Sequence, residues 1–445
     1  MNKKNIKDLN KLISPFAYNK MVIFLKFYLI GIKGSGMSAL ANILLDDNYI
    51  VEGCDIDSYI FTETCLRERN VNIYSLNHPI PDDAIIIIGH DFVDKYIKKV
   101  LKQKSIPYFE YNDFLDFYIN KNKLICVSGS HGKTTIVGLL STAIKDSSFL
   151  RGDGTGNKSI NEDFFFLESC EYKDHYQKYN PKFIVISNID YDHVDYFKKE
   201  EDYINSFKKF ANKVSMGLIH YDYISKINNP YFFTYGLSKN ADFYVENYVM
   251  DDKGIKGEVY FQKSFIGSFE NNNLFGINSI NNVLCVFAFA YIHGLNIDDV
   301  SKRIRIFKPA KKRFNVCNID DQIYIDDYAH HPVQIENNIS NVNIMFKDKI
   351  KVGIFKPDRI SRIKMFKNEI INALNKFDKA FIVNFNDEKY KEVLKSMSND
   401  KIVYLDKIEE ITSYINPRNK YVFSLMSSKS LDDIKKILIT HLNNK

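Results

Sequence analysis

A chain of 445 residues is too long for one hydrophobic core and implies about two to four domains. Its 45% hydrophobic and 26% charged residues are those of an ordinary globular protein, and the formal charge of +6 comes from intermixed Lys and Glu, so no single-sign tract points to a nucleic-acid partner. Cys54, Cys65, Cys126, Cys170, Cys285 and Cys317 are scattered without a CxxC pair, which argues against a zinc site and for reduced thiols in the cytosol.

Residues 1–20 do not share the rhythm of the rest and read as an extension, with Met21 a natural second start. The apolar run "MVIFLKFYLIGI", Met21 to Ile32, is broken by Lys26 and ended by a glycine turn. It reads as a buried strand rather than a membrane helix. Lys3 and Lys4 before it permit a signal-peptide reading, but cleavage there would remove the glycine turn. From Phe24 to about Asp113 strands and helices alternate: "FLKFYLIGI", the helix "GSGMSALANILLDD", the strand "YIVEGCDID" and the continuous apolar strand "DAIIIIGH". That is a βαβ pattern with a parallel sheet. The turn Gly31, Gly34, Ser35, Gly36, Met37, Ser38 leads from strand to helix and offers a seat for a pyrophosphate, and Asp55 at the end of the second strand offers a ribose contact. The order GxxGxG by itself fits both a dinucleotide site and plain tight packing.

A second unit starts near Lys123 with "ICVSGSHGKTT" and a small-residue helix. Gly129 and Gly132 free the backbone of Ser130 and His131 to aim N–H groups at one anion, and the helix start adds its positive pole. Lys133 can reach β- and γ-phosphate oxygens, Thr134 can put its hydroxyl on Mg²⁺, and Thr135 continues the helix. The spacing departs from the usual P-loop, whose first glycine would fall at Val127. Strands "DFFFLESC" and "FIVISNID" end in Glu168 and Glu171, and in Asp190, Asp192 and His193; these ends share an edge with the phosphate turn and could hold a metal. A helix is expected over "FGINSINNVLCVFAFAYIHGL". A third unit from about Pro309 carries strands "QIYIDDYA", "KVGIF", "KAFIVNF", "KIVYLD" and "YVFSLM". After its first strand come Asp327, His330 and His331, of which at most one imidazole is expected to face a shared site, with Pro332 opening the next helix. Arg359 and Arg362, three apart at a helix start, suit an anion clamp.

In this order, "GIKGSGMSALA", "GCDI", "FTETCL", "VSGSHGKTT", "GDGTG", "ESCEY", "NIDYDHVDYF", "KKRF" and "DDYAHHP" resemble the Mur ligases, nearest to the branch that joins L-alanine to UDP-N-acetylmuramate in its Gram-positive form. The resemblance implies an α/β chain of three domains: residues 21–120, Rossmann-like, for the UDP-sugar through Gly31, Gly34 and Gly36; 121–308, a P-loop domain for ATP and Mg²⁺; and 309–445, Rossmann-like, for the amino acid. It implies Lys133 and Thr134 on the phosphates and metal, Glu168 and His193 lining the magnesium site, Asn278 and Asn281 near adenine, Arg313 on the phosphates and Asp327 on the ribose. His330 or His331 becomes the candidate base. The implied partners are UDP-N-acetylmuramate and L-alanine or another amine, in the cytoplasm, with no nucleic acid and no membrane.

The sequence departs from the family mainly in the third domain. Ile277 replaces a histidine, Lys312 an arginine, Lys356 a glutamine and Asp358 a histidine, and a glycine-rich turn becomes "LMSSKS". A carboxylate at Asp358 would repel an amino acid's carboxylate unless Lys356 or Arg359 compensates. These changes bear on the amine accepted, and they keep in view a ligase for another amino acid or peptide, or a relative that binds nucleotide without ligating.

Overall fold

The computed structural model describes residues 25–383 and 388–443; the expected extension and the alternative start at Met21 lie outside the described residues. The chain divides into two compact units, Met1–Ser128 with Ile144–Val185, and Gly129–Ala143 with Ile186–Lys445. Its strands form three sheets.

In the first unit, β1 (Lys26–Ile30), β2 (Ile50–Asp55), β3 (Asn72–Ser75), β4 (Ile85–Ile88) and β5 (Tyr108–Glu110) make a parallel sheet in the order β3-β2-β1-β4-β5. The four isoleucines of β4 are all buried, as a central parallel strand covered on both faces requires. The same unit holds β6 (Leu124–Ser128), β7 (Ser147–Leu150), β8 (Gly156–Asn157), β9 (Phe164–Glu168) and most of β10 (Phe183–Ile186), side by side as β10-β6-β9-β7-β8. Here β6 and β9 are parallel, with Val127 opposite Glu168. That register sets Glu168 level with the last residues before the phosphate turn.

In the second unit, β11 (Gly217–His220), β12 (Phe232–Gly236), β13 (Phe243–Asp251), β14 (Gly254–Phe261) and β15 (Ser264–Asn271) lie in the order β15-β14-β13-β12-β11. The last three form antiparallel hairpins. The remaining strands are β16 (Asn315–Ile319), β17 (Gln322–Asp327), β18 (Ile350–Phe355), β19 (Lys379–Val383), β20 (Ile402–Leu405) and β21 (Tyr421–Met426), ordered β16-β17-β21-β18-β19-β20. All neighbours in this sheet are parallel except β16 with β17. Its side chains alternate between two cores: Ile323, Ile325, Ile382 and Val422 face one, while Tyr324, Phe381 and Phe423 face the other. That period of two, apolar on both faces, is why the sheet is covered by helices on each side. The strands end level, Asp327 and Phe355 both opposite Met426, so their C-terminal residues line one edge. Among the described residues no helix is long and apolar enough to cross a membrane.

Candidate functional site

The phosphate turn occupies Gly129–Lys133, between β6 and the helix Lys133–Ala143. Gly129 adopts φ +134°, and a Cβ there would stand 2.1 Å from Ser187 Oγ and 3.0 Å from Asn188 N, so no other residue fits. The close approach is used for hydrogen bonds. Asn188 Oδ1 accepts from the His131 N–H at 2.8 Å, while Asn188 Nδ2 and Ser187 Oγ both donate to the His131 carbonyl, at 3.0 and 2.5 Å. Ser130 Oγ donates to the Asp190 carbonyl at 2.6 Å and accepts the Asp190 N–H at 2.9 Å. The turn is thereby braced on the segment after β10, with the Lys133 ammonium donating back to the Gly129 carbonyl. A lysine held across its own turn beside a helix N-terminus is the arrangement that receives an anion.

Within the same unit, residues of the third sheet reach this turn. Arg313 Nη2 donates to Thr134 Oγ1 at 3.0 Å, with its guanidinium also over the Tyr328 ring. Gln334, in the first turn of the helix Pro332–Met345, lies 3.0 Å from His131 Nδ1 through its amide nitrogen, and its Oε1 accepts from the N–H groups of His330 and His331. His331 is buried, with Nε2 3.1 Å from the Tyr191 carbonyl and its ring against Phe366. Burial pushes the imidazoles of His131, His330 and His331 below their ordinary value, His330 down to about 3, so all three are neutral at pH 7. Both histidines of the pair therefore enter the cluster, where sequence spacing suggested one. Asp327, at the end of β17, accepts from Asn338 at 2.9 Å and has its carboxyl pushed up to about 6 by burial, against the pull of that bond and of Arg313.

Arg362 differs from its expected place in a substrate-facing clamp. It is only 4% exposed, and its guanidinium contacts Asp192 Oδ1 at 3.1 Å and Oδ2 at 3.2 Å, and Asp358 Oδ1 at 2.6 Å. It ties the helix Ile360–Met365 to the loop after β10. Burial works to raise both carboxyls, but the Arg362 guanidinium beside them outweighs it and holds them below the usual carboxylate range. The charge at Asp358 is thus compensated mainly by Arg362, with Arg359, one of the two residues the sequence suggested, adding to it. Arg359 also faces Asp195 at 3.6 Å. His193 follows Asp192 with φ +53°. Asn278 is exposed and Asn281 half-buried in the first turn of the helix Ile277–Ile292, with Asn281 beside His220.

In the first unit, Glu168 Oε2 accepts the Gly152 N–H at 2.6 Å. Around the glycine turn lies a cavity of about 200 Å³ bounded by Gly31, Gly34, Ser35, Gly36, Met37 and Phe92, among others. Gly31 has φ +84°, and a Cβ there would run into the Phe92 ring at 2.5 Å. Ser38 is buried, its hydroxyl within reach of the Thr62 and Gly154 carbonyls at 3.1 and 3.3 Å. Asp55 was expected at a ribose; its two oxygens instead accept the N–H groups of Lys33 and Ile56, each at 2.7 Å, which fastens the turn to β2. Glu168 in the first unit offers a carboxylate and Thr134 in the second a hydroxyl, the hard oxygen donors that Mg²⁺ prefers. Sequence reading missed Asn188, Gln334 and the pairing of Asp192 and Asp358 with Arg362. The amide residues are invisible in a motif search because their role is set by where the fold brings them; the carboxylates carried only the signal of an unusual charge.

A phosphate turn after a buried strand, a glycine turn on a separate parallel sheet and a third α/β sheet define a three-domain nucleotide-binding architecture. Comparison with family models matches residues 26–122 to the Mur ligase family catalytic domain and residues 156–290 to the Mur ligase middle domain. The chain belongs to the Mur ligase family, whose members are ATP-dependent amide-forming ligases acting on UDP-muramoyl precursors of peptidoglycan. The fold is similar to that of the UDP-N-acetylmuramate–alanine ligase of Thermotoga maritima, at 21% identity and TM-score 0.75 over 95% of this chain and 100% of that one. It is also similar to a murein peptide ligase of Psychrobacter arcticus, at 18% identity and TM-score 0.66 over 95% and 99%. A third likeness is the MurF ligase of Thermotoga maritima solved with ADP, at 14% identity and TM-score 0.64 over 96% and 100%.

Proposed function

We propose that this chain joins an amine, L-alanine or a longer amino-terminal acceptor, to the lactyl carboxylate of UDP-N-acetylmuramate at the expense of ATP, in the cytoplasm, using the domains 21–120, 121–308 and 309–445. A carboxylate oxygen attacks the γ-phosphorus and ADP leaves. The amine nitrogen then attacks the acyl carbon, and phosphate departs with the former carboxylate oxygen. The observation that carries this reading is Arg313 of the third domain bonded to Thr134 of the phosphate turn. Two anions must be brought together, and cations fixed in a dry cleft stabilise the transferring phosphoryl group.

In this reading Gly129, Ser130, His131, Gly132 and Thr135 present the turn's backbone and helix start to the triphosphate, and Lys133 and Arg313 supply positive charge. Asn278, Asn281 and Asp327 hold the nucleoside. Gly31, Gly34, Ser35, Gly36, Met37 and Ser38 form the UDP-sugar turn, stiffened by Asp55. Thr134, Glu168 and His193 would hold Mg²⁺, which when bound supplies charge to the phosphate oxygens. His330, kept neutral by burial, can accept a hydrogen bond from the incoming amine but is a weak base at a value of about 3.

The test is ADP release from ATP, Mg²⁺ and UDP-N-acetylmuramate across a panel of amino acids and peptides. Amine-dependent ADP supports the ligase. ATP binding without release for any amine supports a non-ligating relative.

A further inference from the structure

In the ligase reading the glycine-turn cavity of about 200 Å³ seats the diphosphate of the UDP-sugar. Gly34 precedes the helix Ser35–Asp46 without a side chain to cap it, and the helix start brings its positive pole to the same place. Fixed positive charge is missing from the walls. Among the described residues that bound the cavity, Asp91 carries negative charge and His90 is the one side chain able to carry positive charge. Lys33 lies in the turn, but its ammonium is committed to the carbonyls of Ile56 and Ser58 at 2.9 and 3.1 Å and to Glu63 at 2.7 Å.

His90 follows β4 and is propped from behind. Its ring stacks on that of His175, with centroids 3.9 Å and planes 16° apart, and Tyr111 meets it edge-on at 5.4 Å. His175 belongs to the segment after β9, where Lys173 and Asp174 take φ +53° and +58°, a bent backbone that delivers the ring. Burial lowers both imidazoles, His175 to about 4. Around His90, Asp91, Glu110 and Asn112 work to raise it and Lys178 to lower it; around His175, His90, Lys173 and Lys178 lower it and Asp174 raises it. Lys178 is itself bonded to Asp113 at 2.7 Å and faces Glu110 at 3.8 Å. The free pair is therefore uncharged at pH 7. Two charges would repel across such a stack, but one cation over a neutral ring is attracted to it.

We propose that His90, propped by His175, takes up one proton when a nucleoside diphosphate enters this cavity, so that the wall becomes cationic only while the anion is bound. The inference rests on the UDP-sugar reading and deepens it. The free protein holds the uncharged pair and the complex the charged one. Affinity is therefore greatest below the value that His90 acquires in the complex and falls as pH rises through it. The test is calorimetric titration of the full chain with UDP-N-acetylmuramate, the phosphate turn being filled with ADP and Mg²⁺. Two buffers of different ionisation enthalpy at pH 7 read the proton uptake, and titrations at pH 6 and pH 8 read the affinity. The parent is expected to take up about half a proton or more and to show a Kd about tenfold higher at pH 8 than at pH 6. His90→Gln is expected to lose the uptake and to bind equally weakly at both pH values. His175→Phe, whose ring stacks but takes no proton, is expected to keep the uptake. No uptake by the parent, uptake surviving in His90→Gln, or uptake lost in His175→Phe overturns the inference while leaving the UDP-sugar site standing. No binding of UDP-N-acetylmuramate by the parent overturns both.

Discussion

Replacing Arg362 by Met removes a guanidinium and keeps most of the side-chain volume. Arg362 and Asp192 are each 4% exposed, and the same guanidinium bonds Asp358 at 2.6 Å. The variant therefore strands two carboxylates at once, one of them with almost no access to water. Removing one partner of a buried ion pair costs about 3–5 kcal/mol, because the remaining charge has neither water nor counter-charge. The apolar Met recovers only a small part of this. The loss is read by urea unfolding at pH 7, followed by far-UV circular dichroism since the chain has no Trp. Asp192→Asn in the Arg362→Met background should restore about 1–3 kcal/mol, since a neutral amide no longer needs the cation. A loss below about 1 kcal/mol for Arg362→Met, or no recovery in the double variant, would refute the assignment of Arg362 as a buried tie and return it to the ligand-facing role.

Lys133→Ala should lower kcat by about 100-fold or more in the ADP-release assay, because a phosphate charge is left without its cation. Gly129→Ala should abolish the thermal stabilisation that ATP gives the parent protein, since its Cβ would stand 2.1 Å from Ser187 Oγ; retained stabilisation would mean that the turn can open. The Asp327 carboxyl, raised to about 6, is neutral in the fold at low pH, so its favourable contribution is complete below about pH 4 and is lost as pH rises through 6. Asp327→Asn should remove that decline and stabilise the protein at pH 7.5 by about 1–3 kcal/mol in chemical denaturation; a pH profile parallel to the parent's would contradict the shift.

The alternating layers were legible because buried parallel strands write themselves as apolar runs. Ile85–Ile88 became β4, the run at Phe183 became β10 and β17–β21 of the third sheet fell where their apolar stretches lie, while β16 passed unread. Pro332 opened its helix as expected. The hairpins β13–β15 passed unread: they pair antiparallel with one face partly exposed, so their apolar residues alternate with polar ones and no run stands out. The phosphate turn could be read because its chemistry is local, glycine, lysine and threonine in one stretch. The Arg362–Asp192 pair could not, since its members are 170 residues apart and only the fold makes them neighbours. Asp55 is ambiguous for the opposite reason: a carboxylate at a strand end after a glycine turn has the same sequence signature whether it binds a ribose or the turn's own N–H groups.

The most direct measurement uses UDP-N-acetylmuramate labelled with ¹⁸O in its lactyl carboxylate, with ATP, Mg²⁺ and an accepted amine, and determines the isotope content of the phosphate released. If the carboxylate is activated by the γ-phosphoryl group at Lys133 and Arg313, each phosphate formed with amide product carries one carboxylate oxygen. Phosphate released without the label would mean that water, not the sugar's carboxylate, takes the phosphoryl group, and the account of this site would be wrong.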